Sequence, residues 1–319
     1  MGLRYSIVVP IYNDGYLAEK FCIEFEGAFH KYLKKKSIEK DIELIFVNDG
    51  SPNNSWDELR KLLPKFKFVK LINLSRNFGQ HIALSCGYKH ASGEYVGMLN
   101  VDMQEHPDQI PILLDVIIQG KFDIVYGLRD SRKGTFFEKL TSRIFTLFFN
   151  KLTNDNTPVN ASTLRIMSRR FVDVYNSLSE KSRFLPGLEA WIGFERGYIP
   201  IKHQDRTEGK SSYNFKKRMA MAINAVISFS DYPLKLTIYT GFIISTVGFI
   251  FLAVLIFLRL YLVNFQAGFV TIVSLIIFIG GIQILLIGLI GLYIGKILRE
   301  VQNRPVYVVR EYENFGGRK

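Results

Sequence analysis

Short apolar runs alternate with amphipathic stretches through the first 130 residues. Residues 6–11 form a β-branched run closed by Pro10 and the polar group Tyr12-Asn13-Asp14-Gly15, and an amphipathic stretch to about Lys36 follows. This is the pattern of strand, loop and helix. It recurs as strand 42–48 before a helix from Ser55, strand 69–74 before helix 80–90, and strand 95–100 before a helix after Pro107. A further strand at 123–127 completes the expected set. Strands rich in Val, Ile and Leu that alternate with helices predict an α/β fold, a mostly parallel sheet with helices on both faces.

The pattern changes near the C-terminal end. Residues 236–258 and 269–294 are almost uncharged. Each run reaches the roughly 20 residues that a helix needs to cross a bilayer core of about 30 Å. Two transmembrane helices are expected, and Gly241, Gly248, Gly280, Gly281, Gly288, Gly291 and Gly295 suit membrane helices better than soluble ones. The spacings Gly288-x-x-Gly291 and Gly291-x-x-x-Gly295 permit close helix contact, so a homo-oligomer is one partner to test. Two amphipathic stretches, 136–149 and 215–229, interleave basic and aromatic side chains and suit either a membrane surface or core packing.

Charge adds an orientation. The connector 259–268 holds one basic residue, whereas Lys296, Arg299, Arg304, Arg310, Arg318 and Lys319 follow the second run. The positive-inside rule then puts both termini and the N-terminal domain in the cytoplasm, at the inner membrane of a cell. The formal net charge of +12 fits an anionic bilayer surface, and no RNA-binding pattern argues for nucleic acid. Met1-Gly2-Leu3-Arg4 runs straight into the first strand, which predicts no leader peptide. Cys22 and Cys86 lie in apolar contexts without a CxxC and are expected as reduced packing residues, as are Trp56 and Trp191. His81, His90 and His106 lack metal-ligand spacing. The expected organisation is a catalytic domain over 1–214, an interfacial segment over 215–233, two spans over 234–296 and a basic cytoplasmic tail over 297–319.

In parallel sheets ligands bind beyond the carboxyl ends of the strands. The polar groups lie there: Asn13 and Asp14, then Asp49-Gly50-Ser51, then Arg76-Asn77-Phe78-Gly79, then Asn100-x-Asp102-x-Gln104. Asn and Asp also favour turns, but in an extended segment Asn100, Asp102 and Gln104 share one side and offer three oxygens to a hard cation. No GxGxxG or GxxxxGK[ST] stands in any of these loops, which excludes a dinucleotide fold or a P-loop. A phosphorylated ligand would then be held by metal and basic side chains, with Arg129, Arg132, Arg206 and Lys210 as candidates.

Val9-Pro10-Ile11-Tyr12-Asn13, Val47-Asn48-Asp49-Gly50-Ser51, Leu74-Ser75-Arg76-Asn77-Phe78-Gly79 and Asn100-Val101-Asp102-Met103-Gln104 resemble the successive motifs of family 2 glycosyltransferases. Arg206 to Tyr213, Ile227-Ser228-Phe229-Ser230 and Val301-Gln302-Asn303-Arg304-Pro305 extend the resemblance, over nearly the whole chain, to the polyprenyl-phosphate glycosyltransferases. The resemblance implies a GT-A fold and transfer of a sugar from a nucleotide-sugar donor to an undecaprenyl-type phosphate, with inversion and with Mg²⁺ or Mn²⁺ as cofactor. In it Pro10, Tyr12, Asn13, Asp14, Asp49, Ser51, Asn77 and Gly79 serve the donor. Asn100, Asp102 and Gln104 serve the metal. Arg129 and Arg132 serve the lipid phosphate, and Arg206, Lys210, Ser211 and Tyr213 close over the diphosphate.

Two positions depart from the family. Asn100 replaces its usual first Asp, so Asp102 is expected to carry most of the metal affinity. Ala161-Ser162-Thr163-Leu164-Arg165 stands where many relatives read Gly-Asp-Phe-Arg. A phosphate monoester with a second pKa near 6 is already mostly ionised at neutral pH, so position and charge matter more than a base. The departures leave a catalytically impaired scaffold or partner subunit as the alternative. A processive polysaccharide synthase would need more spans, and no Gln-x-x-Arg-Trp precedes either tryptophan.

Overall fold

The computed structural model describes residues 4–34, 41–129, 158, 160–202, 232–261 and 268–315. Two compact units are present, Met1–Arg218 with Pro305–Lys319, and Met219–Arg304.

The first unit is built on a sheet of eight strands among the described residues. They are β1 (Tyr5–Ile11), β2 (Ile42–Asn48), β3 (Val69–Leu74), β4 (Tyr95–Met98), β5 (Ile124–Arg129), β6 (Ala161–Ser168), β7 (Arg196–Ile201) and β8 (Val309–Glu313). The order is β7-β5-β6-β4-β1-β2-β3-β8. Pairing is parallel for β1 with β2 and β4, β2 with β3, and β5 with β7. It is antiparallel where β6 meets β4 and β5 and where β8 meets β3. The alternating pattern thus predicts the parallel centre, whereas β6, β7 and β8 lie beyond the expected five strands.

Helices α1 (Ala18–Leu33), α2 (Ser55–Arg60), α3 (Gln80–His90), α4 (Ile110–Ile117), α5 (Arg169–Ser177) and α6 (Leu185–Ile192) connect the strands. Period-2 alternation in β1 sorts the two faces. Ile7 and Val9 join the cluster that includes Phe21, Phe25 and Phe29 of α1 with Phe46 and Phe68. Val8 points the other way, where it and Val47 crowd Gly87 of α3. The ring centroids of Phe25 and Phe29 are 4.8 Å apart, and each fully buried ring of this kind contributes about 2–3 kcal/mol of burial.

Strand β4 ends at Met98, two residues short of the expected bound. Asn100 and Asp102 therefore stand in the turn beyond the strand, and Met103 has a φ of 59°, so strict strand alternation does not set the direction of these side chains. Trp191, expected to pack, is 68% exposed on α6. Cys22 and Cys86 are buried and unpaired, and burial pushes the Cys86 thiol up to about 12, as suits packing residues.

In the second unit α7 (Tyr232–Tyr261) and α8 (Phe269–Val301) carry the two apolar runs. At about 1.5 Å per residue these helices measure about 45 and 50 Å. Among the described residues one stretch, Ile279–Val301, is long and apolar enough to cross a membrane, and Thr237–Gly248 is a shorter apolar stretch. The expected interfacial stretches 136–149 and 215–229 lie outside the described residues.

Candidate active site

The carboxyl ends of β1, β2, β3 and β4 bring four loops to one rim. Asp49 ties two of them together. Its Oδ1 accepts from the Phe78 N–H at 2.7 Å and its Oδ2 from the Gly79 N–H at 2.8 Å. Burial raises the Asp49 carboxyl above its ordinary range, against the pull of these two N–H groups and of Arg76. Gly50 makes the approach sterically feasible. Its φ is +60°, and a Cβ there would lie 2.2 Å from the carbonyl carbon of Arg76. Asp49 thus holds the Arg76–Gly79 loop, which leaves Asn77 exposed at the rim.

The first loop is tied to the second by similar bonds. The Asn13 N–H donates to Ser51 Oγ at 3.0 Å, and Ser51 Oγ donates to Asn48 Oδ1 at 2.6 Å. Asn48 in turn donates to Asn73 Oδ1 at 2.8 Å, so β1, β2 and β3 end in one chain of hydrogen bonds. The Asp14 carbonyl accepts from the Leu17 N–H. Pro10 is half-buried at the end of β1 and Tyr12 is 42% exposed beyond it. Asn13 Oδ1 is buried without a hydrogen-bond partner. A buried acceptor in that state costs free energy unless a ligand donor reaches it.

Beyond β4, Asp102 is 8% exposed, and the Gln104 N–H turns back to its Oδ1 at 3.3 Å. Asn100 is held from both sides: Gln80 donates to its Oδ1 at 3.0 Å, and its amide donates to Thr163 Oγ1 at 3.2 Å. Among the described residues no group of three or more His, Cys, Asp or Glu could hold a metal ion. The local donors are one carboxylate and two amide oxygens, all hard ligands. That set suits a Mg²⁺ or Mn²⁺ bound chiefly through substrate phosphates, because such ions use one or two protein carboxylates beside the phosphates.

Arg129 does not stand alone at the end of β5. Its Nε and Nη2 donate to Glu105 Oε1 at 3.1 and 2.7 Å, and Glu105 is 1% exposed. Ser162 Oγ donates to the same oxygen at 2.7 Å, and Thr163 Oγ1 to Oε2 at 2.9 Å. The Arg129 backbone is clamped as well, by Asn160 on both its N–H and its carbonyl. Behind this group Arg165 reaches from β6 to Glu189, and Tyr126 OH donates to Glu189 at 2.9 Å. Sequence reasoning passed over Glu105, Gln80, Ser162 and Glu189. Glu105 had a signal, as an acid directly after the oxygen array. Ser162 and Glu189 declare themselves only through the packing of β6 and α6 beside the rim, and Gln80 only through α3, which brings it to Asn100.

The loops of Asn13, Asp49 and Asp102 border the carboxyl side of the central strands, as expected, and Arg129 stands at the same side at the end of β5. Arg132, Arg206, Lys210, Ser211 and Tyr213 lie outside the described residues. The rim gathers amide and carboxylate oxygens of the kind that hold a hard cation, and one guanidinium fixed by a buried carboxylate.

The model of Glycosyl transferase family 2 matches residues 6–175. The uncharacterized glycosyltransferase YkcC of Bacillus subtilis (strain 168) is 32% identical over 315 residues, 97% of this chain and 94% of that protein. The SfII prophage-derived bactoprenol glucosyl transferase of Shigella flexneri is 30% identical over 310 residues, 97% of this chain and 98% of that protein. Among solved structures, the mannosyltransferase PcManGT of Pyrobaculum calidifontis in complex with GDP-Man and Mn²⁺ aligns with a TM-score of 0.49 and 13% identity, over 72% of this chain and 64% of that one. Identity of this level along almost the full length of the curated relatives, with the family match over the rim loops, means that the chain belongs to glycosyl transferase family 2.

Proposed function

We propose that this enzyme transfers a sugar from a nucleotide-sugar donor to a polyprenyl phosphate at the cytoplasmic face of a membrane, with inversion at the sugar carbon. The observation that carries the reading is the nearly full-length relation to a protein named for bactoprenol glucosyl transfer, long apolar helices included. In the proposed reaction an acceptor phosphate oxygen attacks the anomeric carbon from one side, and the bond from that carbon to the nucleoside diphosphate breaks on the other. Asn13, Tyr12, Pro10 and Asp14 border the base and ribose, with Asp49, Ser51, Asn77 and Gly79 shaping the same end. Asn13 Oδ1 would accept a donor N–H that the free protein lacks. Asp102, with Asn100 and Gln104, would hold a divalent cation, which when bound neutralises the departing diphosphate. Arg129 would bind the acceptor phosphate, and Arg132 is proposed beside it. Arg206, Lys210, Ser211 and Tyr213 would cover the diphosphate.

Membrane topology is part of the proposal. Strand β8 follows α8 in the chain and pairs with β3 of the catalytic sheet, which supports an even number of crossings between residues 232 and 301. Spans over 236–258 and 269–294 meet that requirement, while Pro305–Lys319 of the expected tail groups with the catalytic unit rather than standing apart from it. A homo-oligomer through the α8 glycines fits the open surface there, because a Cβ at Gly288, Gly291 or Gly295 would meet nothing within 4 Å.

The test is transfer of radiolabelled sugar into organic-extractable lipid by purified full-length protein, with undecaprenyl phosphate, Mg²⁺ or Mn²⁺ and a panel of nucleotide sugars. Labelled lipid that disappears with EDTA and with Asp102→Ala is the expected result. No transfer from any donor, together with no donor-induced shift in Tm, would sink the reading.

A further inference from the structure

Arg129 is the one basic candidate for the acceptor phosphate among the described residues, and its environment raises a physical question. A guanidinium already paired to a buried carboxylate loses net charge, yet it gains a fixed direction. Glu105 takes two of its five N–H donors through a single oxygen, at Nε and Nη2. Among the described residues no partner takes the three donors of the far edge, and the Arg129 side chain is 20% exposed. The carboxylate is itself anchored from β6 by the Ser162 and Thr163 hydroxyls, so it cannot follow the arginine outward. Thr163 Oγ1 also accepts from Asn100, which lies two residues before Asp102.

We infer that Glu105 is a positioning residue for the transfer reaction: it holds Arg129 with its open N–H edge presented to the acceptor phosphate and links that arginine to the cation side through Thr163 and Asn100. The inference rests on the role proposed above for Arg129. Two features set Glu105 apart from a buried ion pair that serves only the core. Its partners Arg129, Ser162 and Thr163 stand at the carboxyl rim or on the adjoining end of β6. Buried pairs of this unit elsewhere have separate places, where Arg165 meets Glu189 and where Lys70 meets Glu43. Preorganising one guanidinium saves the reorganisation that a free side chain undergoes when an anion binds.

The experiment is a double-mutant cycle on purified full-length protein, with Glu105→Gln, Arg129→Lys and the pair, reading KM for undecaprenyl phosphate, KM for the donor, kcat and Tm. Glu105→Gln should raise KM for the acceptor by at least roughly tenfold, the loss expected for one charge-assisted hydrogen bond, and leave KM for the donor within about twofold. Added to Arg129→Lys it should cost little more, because the two act as a unit. Thr163→Val removes one anchor of the carboxylate and should move the same constant in the same direction by less; it takes the place of Glu105→Gln in the cycle should that variant not melt cooperatively. Wild-type protein without transfer would overturn the proposed function itself. Transfer whose acceptor KM is unmoved by the substitutions, or that falls additively in the pair, would overturn the inference and leave Glu105 a packing residue.

Discussion

Single side chains at the rim carry distinguishable energetic roles. Gly50 has both a left-handed φ and an Arg76 carbonyl carbon 2.2 Å from where a Cβ would stand, so Gly50→Ala should lower stability by more than about 1–2 kcal/mol, read as a fall in urea midpoint. Because the same backbone contact holds the loop that Asp49 receives, donor binding should weaken with it. Asn13 behaves in the opposite way. Its Oδ1 makes no bond in the free protein, so Asn13→Gly, which keeps the φ of 69° free of strain, should leave Tm nearly unchanged while raising KM for the donor by roughly tenfold. An unchanged donor KM would remove Asn13 from the site. His81 supplies a pH effect. Burial, reinforced by the nearby positive Arg165, depresses its pKa to about 4, and its Nδ1 is buried without a partner. The unfolded chain takes up the proton near pH 6.5 and the folded one only near pH 4, so the contribution is complete above pH 6.5 and declines as pH falls toward 4. The loss is at most roughly 3 kcal/mol. His81→Phe, edge-on to Phe184 as the imidazole is now, should flatten that part of the Tm-against-pH curve. An unaltered slope would mean that another group sets it.

Strand β8 shows how an element can be decisive and still be nearly silent in the sequence. It covers the edge of β3 in the register Leu71↔Glu313 and Leu74↔Val309, and side chains secure it: Trp56 donates to Glu311 at 2.9 Å and Arg60 meets Glu313 at 3.1 Å. Tyr312 lies 3.1 Å from His90 Nε2, and Asn314 donates to the Val69 carbonyl at 2.7 Å. Ending the chain after Arg304 should expose the β3 edge, lower Tm and promote aggregation. With Trp191→Phe as background, the fluorescence of Trp56 should shift to the red, since its indole loses both partner and cover. An unshifted spectrum would mean that the tail does not cover Trp56 in solution. The residues explain why such a strand escapes notice. Val309-Arg310-Glu311-Tyr312-Glu313 has the polar composition of an edge and pairs with a strand more than two hundred positions away. The strands β2 and β3 and helix α3 stand at the bounds predicted, because apolar runs between turn residues mark strands buried on both faces. The rim was legible for the same reason: Asp49 and Asp102 end or follow such runs. Glu105 is marked in the sequence only as an acid after the oxygen array; its role depends on Ser162 and Thr163 of an antiparallel β6 inserted between β4 and β5, and no local pattern announces that insertion.

At the scale of the whole molecule, the return of β8 to β3 constrains the path of the chain. A segment that leaves a sheet and comes back to it crosses any intervening membrane an even number of times, so beside Ile279–Val301, the one stretch among the described residues long and apolar enough to cross, the proposed topology requires a second crossing by the run 236–258. The connector 259–268 should then face the side opposite the catalytic unit. Cysteine labelling can read this directly, because the native thiols are quiet. Cys22 and Cys86 are both buried, and burial raises both pKa values, that of Cys86 to about 12, so neither forms an appreciable thiolate at neutral pH. A single cysteine introduced at Gln266 should react in intact cells with a membrane-impermeant maleimide, and one at Asn77 on the exposed rim should react only after permeabilisation. Labelling of both positions only after permeabilisation would leave the connector on the catalytic side and contradict two crossings. Labelling of Asn77→Cys in intact cells would place the active site outside, where the nucleotide-sugar donors made in the cytoplasm would not reach it.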